Sequence, residues 1–188
     1  MTRKLEYFFS KLANLWIVVV SGMAVFLLMS ILSKIDREAT GGGANGILGL
    51  QFAFTPEAAG TIIRLWGAEG ASRIRDTLWI DYIYPPFYAA FLASTIAYFS
   101  TIWKMFTQFA RYTLILLPFL AAILDYVENT LQLIILAQFP KVSGILILAA
   151  SIAATVKWLI IGWSILVILY LIIYQLVKAG LSGFKTTS

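Results

Sequence analysis

The sequence predicts an all-α integral membrane protein: a four-helix transmembrane bundle with a helical extracytoplasmic loop between the first and second spans. Hydrophobic residues make up 61% of the 188 residues and charged residues only 12%, whereas about a quarter of an ordinary soluble domain is charged. The mean hydropathy is +0.88. Long apolar segments recur along the chain, and its length leaves room for one transmembrane domain, residues 1–188.

Four segments are predicted to be spans: residues 15–33, 78–103, 112–138 and 144–177. Each is close to or longer than the roughly 20 residues that cross a bilayer as a helix. The first follows a basic amphipathic lead, Arg3 to Lys11, which is also compatible with a signal peptide. We favour a span, because the apolar core is longer than that of a signal peptide and no small-x-small cleavage pattern follows it.

The connection between the first two spans, residues 34–77, is predicted to be structured. Gly41 to Gly46 predicts a flexible hinge, and the apolar segment Leu48 to Phe54 is expected to lie on the membrane or to cap the bundle. Thr55-Pro56-Glu57 is a strong helix start, with Thr as N-cap, Pro in the first turn and an acid near the positive end of the helix dipole. That helix is expected to end at Gly67, and a second one to begin near Ser72.

Charge placement predicts that both chain termini are cytoplasmic and that the 34–77 loop is external. The expected membrane is the plasma membrane in a bacterium or the endoplasmic reticulum in a eukaryote. The basic residues that mark the inner side are Arg3, Lys4, Lys11, Lys104, Arg111, Lys178 and Lys185. The net charge of +5 therefore reflects topology, and no basic stripe interleaved with aromatic residues predicts nucleic-acid binding.

Two residue types are missing from the sequence, which contains 0 Cys and 0 His. Their absence excludes disulfides, thiol nucleophiles, imidazole bases, His-ligated haem and conventional zinc sites. We therefore predict no cofactor and no metal. Any catalysis has to use carboxylate, Lys, Tyr, Ser or Thr side chains.

The third predicted span carries the most unusual residues of the chain. Asp125, Glu128 and Asn129 stand at i, i+3 and i+4, so they project from one helix face and can share a proton, an ion or a ligand. Ionisable groups at membrane depth are rare and usually functional. The structural alternative is hydrogen bonding between helices, although two acids exceed what such bonding needs.

Counting along the helices brings these acids together with two other charged residues. At about 1.5 Å per residue, Asp81, Asp125, Glu128 and Lys157 lie between ~21 and ~34 Å above the inner basic residues. We therefore expect the four to line one cavity in the outer half of the bilayer. The alternative interpretation of Lys157 is purely structural, because a lysine beside Trp158 at an interface commonly extends toward water.

Prolines are expected to break the helices near this level. Pro85 and Pro86 lack amide donors, so Asp81 stands at a predicted break beside free carbonyl groups and Tyr84. Pro118 is predicted to kink the third span, and Pro140 to mark the bend before the fourth. The predicted ligand-binding residues are Asp81, Tyr84, Asp125, Glu128, Asn129 and Lys157, and the candidates for a catalytic pair are Asp125 and Glu128.

The order of these features resembles that of a known family. The features are an acid after span one (Asp36), a long outer loop, an acid followed by prolines at the start of span two (Asp81, Pro85, Pro86), and a third span in which Pro118 precedes Asp125 and Glu128. With four spans and cytoplasmic ends, this layout resembles the EXPERA family, which includes the sigma-2 receptor and the emopamil-binding sterol isomerase. The resemblance implies an acid-lined cavity that opens sideways to lipid and accepts hydrophobic, often cationic molecules.

Three classes of function remain open. The leading one is binding of a lipid or lipophilic small molecule in an acid-lined cavity in the outer half of the bilayer. The second is a membrane-embedded acid/base enzyme of isomerase or hydrolase type, with Asp125 and Glu128 as the pair and Lys157 stabilising a developing anion. The third is a proton- or cation-coupled carrier or a subunit of a larger complex. Besides the membrane lipid or lipophilic molecule, the partners left open are a second copy of the chain and a membrane complex.

Overall fold

The computed structural model of the protein describes residues 3–42, 45–103 and 107–185, with side chains for 6–42, 45–100 and 107–178. Helices are the regular secondary structure of the described residues, which contain no strand, and this confirms the predicted all-α class. The helices are α1 (Arg3–Leu12), α2 (Leu15–Thr40), α3 (Ile47–Gln51), α4 (Pro56–Asp81), α5 (Tyr84–Trp103), α6 (Gln108–Gln138) and α7 (Gly144–Lys185). Gly43 and Ala44 of the predicted hinge, and Lys104 of the predicted inner loop, lie outside the described residues.

Three helices are long and apolar enough to cross a membrane: α2, α6, and α7 over Gly144–Lys178. They correspond to the first, third and fourth predicted spans. α2 extends beyond the predicted end at residue 33 to Thr40, because the first helix breaker is Gly41, which ends the helix with a φ of 84°. α6 begins before the predicted residue 112, since the Thr107 hydroxyl accepts a hydrogen bond from the Ala110 amide and caps the helix there.

The second predicted span, residues 78–103, is divided between two helices. α4 ends at Asp81 and α5 begins at Tyr84. Pro85 and Pro86 lie in the first turn of α5, where a helix has no use for their missing amide groups. The prolines therefore begin a helix, and Asp81 lies at the end of the preceding one.

α4 contains the two helices predicted for the 34–77 loop, joined across a kink and extended to Asp81. Its start is as predicted, because the Thr55 hydroxyl accepts the Ala58 amide and Pro56 lies in the first turn. The predicted end at Gly67 is confirmed: Gly67 has a non-helical conformation, with a φ of 65° and a ψ of −176°, and α4 consists of two helices joined across a kink there. Glycine adopts this conformation without steric cost, so it can end the first helix. The second helix begins before the predicted Ser72.

The long helices pack into one bundle. α5, α6 and α7 pack against one another, and α2 packs against α5 and α4. One apolar cluster joins α3 and α4 to one end of the α6–α7 pair, and another joins α1 to α5 and to the opposite end of that pair. A row of buried polar residues on α6 lies between the apolar residues Ala122 and Ile135. The polar groups are therefore enclosed by apolar packing on both sides.

Candidate functional site

One face of α6 carries a row of buried polar side chains. Asp125, Glu128 and Asn129 lie on it as their spacing predicts, and Gln132 extends the row by one turn. The exposed fraction is 3% for Asp125 and 0% for the other three residues. A buried polar group is costly unless it is hydrogen-bonded or paired, so the partners of this row decide what it does.

Lys157 on α7 supplies the positive charge for this row. Its Nζ lies 2.9 Å from Oδ1 of Asp125 and 2.5 Å from Oε2 of Glu128. The side chain of Gln132 donates to the other oxygen of Glu128 at 2.7 Å. Lys157 is only 3% exposed, so the alternative in which it extends toward water is wrong for this structure.

Asp81 joins the same cluster from the end of α4. Its Oδ2 accepts a hydrogen bond of 3.1 Å from the side-chain amide of Asn129. Residue counting predicted that four charged residues meet. These contacts connect all four through α6: Asp81, Asp125, Glu128 and Lys157. These contacts also link α4, α6 and α7, which is the structural role considered for them.

A cavity of about 390 Å³ lies beside this cluster. Its size falls within the range of about 300–1,000 Å³ typical of small-molecule sites. Its wall is mainly apolar, with contributions from α2, α3, α4, α5 and α7 and a single residue of α6. The polar or ionisable residues on the wall are Ser33, Asp36, Gln51, Thr77, Asp81, Tyr84, Tyr88, Asp125, Lys157 and Trp158.

The cavity divides the six predicted ligand-binding residues into two groups. Four of them line the wall: Asp81, Tyr84, Asp125 and Lys157. Glu128 and Asn129 are not on the wall, and both are fully buried. The expectation that all four charged residues line the cavity is therefore wrong for Glu128, which contacts Lys157 from the far side of the ion pair.

Sequence reasoning missed several residues of the site. Tyr88 lies on the wall one helical turn after Tyr84. Its buried hydroxyl makes no hydrogen bond of ordinary geometry to a described residue, but it interacts electrostatically with Asp125. Asp36, noted only for its place in the chain, also lines the cavity. Gln132 could have been found by extending the i, i+3, i+4 row by one turn.

The short helix α3 closes one side of the cavity. Its residues Leu50 and Gln51 are buried, so the apolar segment that was predicted to lie on the membrane or to cap the bundle packs on the bundle. Three hydrogen bonds hold the segment: Ile47 N to Asp36 Oδ1 at 2.9 Å, Trp158 Nε1 to Gln51 Oε1 at 2.9 Å, and Phe54 N to Ser151 Oγ at 3.0 Å.

The site carries more acid than base. Asp36, Asp81 and Asp125 lie on the wall and Glu128 lies behind it, whereas Lys157 is the cation that the described part of the wall supplies. Asp125 and Glu128 share that one ammonium, and Asp81 has a neutral amide as its hydrogen-bond partner. With all groups ionised, the site is formally negative, which favours a ligand that carries positive charge or donates hydrogen bonds.

Among the described residues, no group of three or more His, Cys, Asp or Glu side chains could hold a metal ion. Comparison of the chain with family models, with curated proteins and with solved structures finds no match. The function is therefore inferred from the residues of the site.

Proposed function

We propose that this chain is a four-span membrane protein that binds a lipid or lipophilic small molecule in the acid-lined cavity. α2, α6 and α7 have the length and apolarity of spans, and α5 is the proposed fourth. Its 20 residues reach ~30 Å, and it packs against α2, α6 and α7. Its hydroxyl groups at Ser94, Thr95 and Ser100 bond to backbone carbonyls of the same helix, which lowers the cost of placing them in a membrane.

We place the N- and C-termini in the cytoplasm and the α3–α4 segment outside. Lys11 lies in the last turn of α1, Arg111 in the first turn of α6 and Lys178 in the C-terminal part of α7, so basic residues recur at the proposed inner ends of the helices. The acid-lined cavity then lies in the outer half of the bilayer.

The observation that carries the binding proposal is a mainly apolar cavity of about 390 Å³ with a few charged groups on its wall. An apolar lining with a few convergent polar groups is the usual character of a small-molecule site. α2 and α7 both line the cavity, but each makes its main contacts with other helices. We therefore propose that a lipid-soluble molecule enters the cavity between α2 and α7, without passing through water.

The distribution of charged and apolar side chains on the wall indicates how the ligand is oriented in the cavity. The apolar side chains of Val25, Phe91 and Ile161 line the part formed by α2, α5 and α7 and suit a hydrocarbon body. Asp36 and Asp81 are the acids on the wall that form no ion pair among the described residues. Asp36 already accepts hydrogen bonds from the Ile47 amide and the Thr40 hydroxyl, so a polar group that donates hydrogen bonds, such as an amine, belongs beside Asp81. The EXPERA resemblance implies the same ligand character.

The test is to identify the molecule that remains bound and to remove the charge of Asp81. Native mass spectrometry of the purified chain should show a co-purified lipid-like molecule. Asp81→Asn keeps the shape and can still bond to Asn129, and it should weaken ligand binding about tenfold or more because a charge-assisted hydrogen bond is lost. Asp76→Asn is the matched control, since Asp76 is an exposed acid on the same helix.

The proposal fails if Asp81→Asn and Asp76→Asn both bind the co-purified molecule as tightly as the unmodified chain does. It also fails if the molecule is absent and fluorescent lipid analogues are not displaced from the cavity by any lipophilic amine. Melting curves of both variants show whether a loss of binding is a loss of folding.

The enzyme alternative has one observation in its favour. Tyr88 places a buried hydroxyl on the cavity wall near Asp125, where a proton donor and a carboxylate face the same space. Such a pair can exchange protons with a bound substrate. A Tyr88→Phe variant that binds the co-purified molecule normally but no longer converts it would favour the enzyme.

A further inference from the structure

A second, smaller cavity lies between α1 and the first turns of α6. Its volume is about 170 Å³. It is lined by Glu6, Phe9, Ser10, Gln108, Arg111, Tyr112 and Ile115. Arg111 and Asp125 are separated by about 21 Å along α6, so this cavity is distinct from the acid-lined one.

The walls of the small cavity are held in place by specific contacts. The Phe9 ring stacks on the Tyr112 ring, with centroids 4.3 Å apart and an interplanar angle of 19°. The Gln108 side-chain amide donates to the Tyr112 hydroxyl at 2.9 Å and to Oε1 of Glu6 at 3.0 Å. The carboxylate of Glu6 is therefore positioned by its neighbours.

The cavity contains one negative and one positive group. The guanidinium of Arg111 lies over the Tyr112 ring, 5.2 Å from its centroid. Within the described part of the chain, neither Glu6 nor Arg111 forms an ion pair. A small space lined by a separate carboxylate and a separate guanidinium is complementary to a molecule that carries both a cation and an anion.

The position of the cavity indicates which molecule that is. Gln108 begins a helix that is apolar enough to span a membrane, so the first turn of α6 lies at the depth of lipid headgroups. In α1, Phe9 and Leu12 are buried against the bundle while Tyr7 and Phe8 are exposed, as expected for a helix lying in the membrane surface. The volume is below the range of about 300–1,000 Å³ of drug-sized sites and suits a headgroup.

We propose that this cavity binds the headgroup of a phospholipid that carries a primary ammonium, a phosphoethanolamine headgroup. The N–H groups of Arg111 bind the phosphate, and the carboxylate of Glu6 accepts hydrogen bonds from the ammonium. We place the acyl chains over the exposed apolar side chains of Phe8, Phe109 and Leu116, each of which is next in sequence to a residue that lines the cavity.

Two other common headgroups fit less well for stated reasons. A phosphocholine headgroup has no N–H donor for Glu6, and its three methyl groups need more space. A phosphoglycerol headgroup is anionic without a cation, so the carboxylate of Glu6 repels it. The cavity therefore selects for the zwitterion with a primary ammonium.

The experiment is a lipid titration of the full chain after delipidation in detergent, with bound lipid counted by native mass spectrometry. The probes are phosphatidylethanolamine, phosphatidylcholine and phosphatidylglycerol with identical acyl chains, and free phosphoethanolamine. Phosphatidylethanolamine should bind about tenfold more tightly than the other two lipids, the difference expected from one charge-assisted hydrogen bond. Free phosphoethanolamine should not displace it at equal concentration, because it lacks the acyl chains.

Variants of Arg111 and Glu6 test separately the contacts to the phosphate and to the ammonium of the headgroup. Arg111→Gln should weaken all three lipids about tenfold by removing the phosphate partner, whereas Glu6→Gln should abolish the preference for phosphatidylethanolamine over phosphatidylglycerol. Glu69→Gln and Arg73→Gln are matched controls, since these residues form an exposed ion pair on α4, far from α1, and should bind like the unmodified chain.

Three results would overturn the proposal. One is equal binding of the three lipids to the unmodified chain. The second is unchanged binding in a Glu6→Gln or Arg111→Gln variant whose melting curve is also unchanged. The third is displacement of the lipid by an equal concentration of free phosphoethanolamine, which would show that a soluble molecule is the ligand.

Discussion

Asp81 and Glu128 are two acids of one cluster with different surroundings. Glu128 is 0% exposed, lies behind the cavity wall and has two partners, Lys157 and Gln132. Asp81 lies on the wall, and its hydrogen-bond partner is the amide of Asn129. Both acids stand out in the sequence for the same reason, a charge in an apolar setting, but only Asp81 can touch a ligand.

The difference shows that one polar cluster can have a part that links helices and a part that faces a cavity. The ion pairs of Lys157 hold α6 and α7 together, whereas Asp81 and Tyr84 face the space that a ligand would fill. Variants of the two parts should therefore change different measurements, and the predictions below test this division.

Removing the shared cation should have the largest effect. Lys157→Met leaves Asp125 and Glu128 buried without a positive partner, so the free energy of unfolding should fall by about 3–5 kcal/mol. Thermal and denaturant unfolding in detergent measure this. The matched control is Lys34→Met, whose exposed pair with Glu38 is worth at most about 1 kcal/mol.

A Lys157→Met protein that melts like the Lys34→Met control would contradict the structural role of the ion pairs. If Lys157→Met does not fold at all, adding Asp125→Asn and Glu128→Gln to it should restore folding. That triple variant carries neither the buried cation nor the two acids that were left unpaired.

Neutralising Glu128, the acid behind the cavity wall, should lower the free energy of unfolding less than Lys157→Met does, and it should leave ligand binding intact. Glu128→Gln still bonds to Gln132, and Asp125 still neutralises Lys157, so the free energy of unfolding should fall by only about 1.5 kcal/mol. Ligand affinity should stay within about twofold, in contrast to Asp81→Asn. Isothermal titration calorimetry with the co-purified molecule compares the affinities of the two variants. A tenfold loss of affinity in Glu128→Gln would contradict the assignment of Asp81 to binding and Glu128 to structure.

The smallest predicted effect concerns the wall formed by α3. Trp158→Phe removes the hydrogen bond from the indole N–H to Gln51, which is worth about 1 kcal/mol. The bound molecule should then dissociate about fivefold faster, because α3 is held less firmly over the cavity. Stopped-flow displacement measures this rate, with Trp79→Phe as the control at an exposed tryptophan. Equal rates in the two variants would show that α3 does not limit release.

The sequence alone was sufficient to predict the class of fold and the residues at the centre of the site. The spacing of Asp125, Glu128 and Asn129 determines a helix face, and helix geometry converts a residue count into depth, so the meeting of these residues with Asp81 and Lys157 could be predicted. Which of them line the cavity could not, because the rotation of α6 depends on how all its neighbours pack.

The features of α4 that act locally were predicted well. Thr55 and Pro56 begin the helix as predicted, and Gly67 interrupts it as predicted, with a φ of 65°. Tyr88 was missed because a tyrosine in an apolar helix is ordinary until a carboxylate is found beside it.

The short connection between α6 and α7 has a consequence for how the chain enters the membrane. α6 carries two buried acids and α7 carries the buried Lys157, and each such charge near the centre of a helix costs about 2.5–3.5 kcal/mol on insertion. Only residues 139–143 separate the two helices. We therefore expect the two helices to insert together as a hairpin, in which Lys157 neutralises the acids.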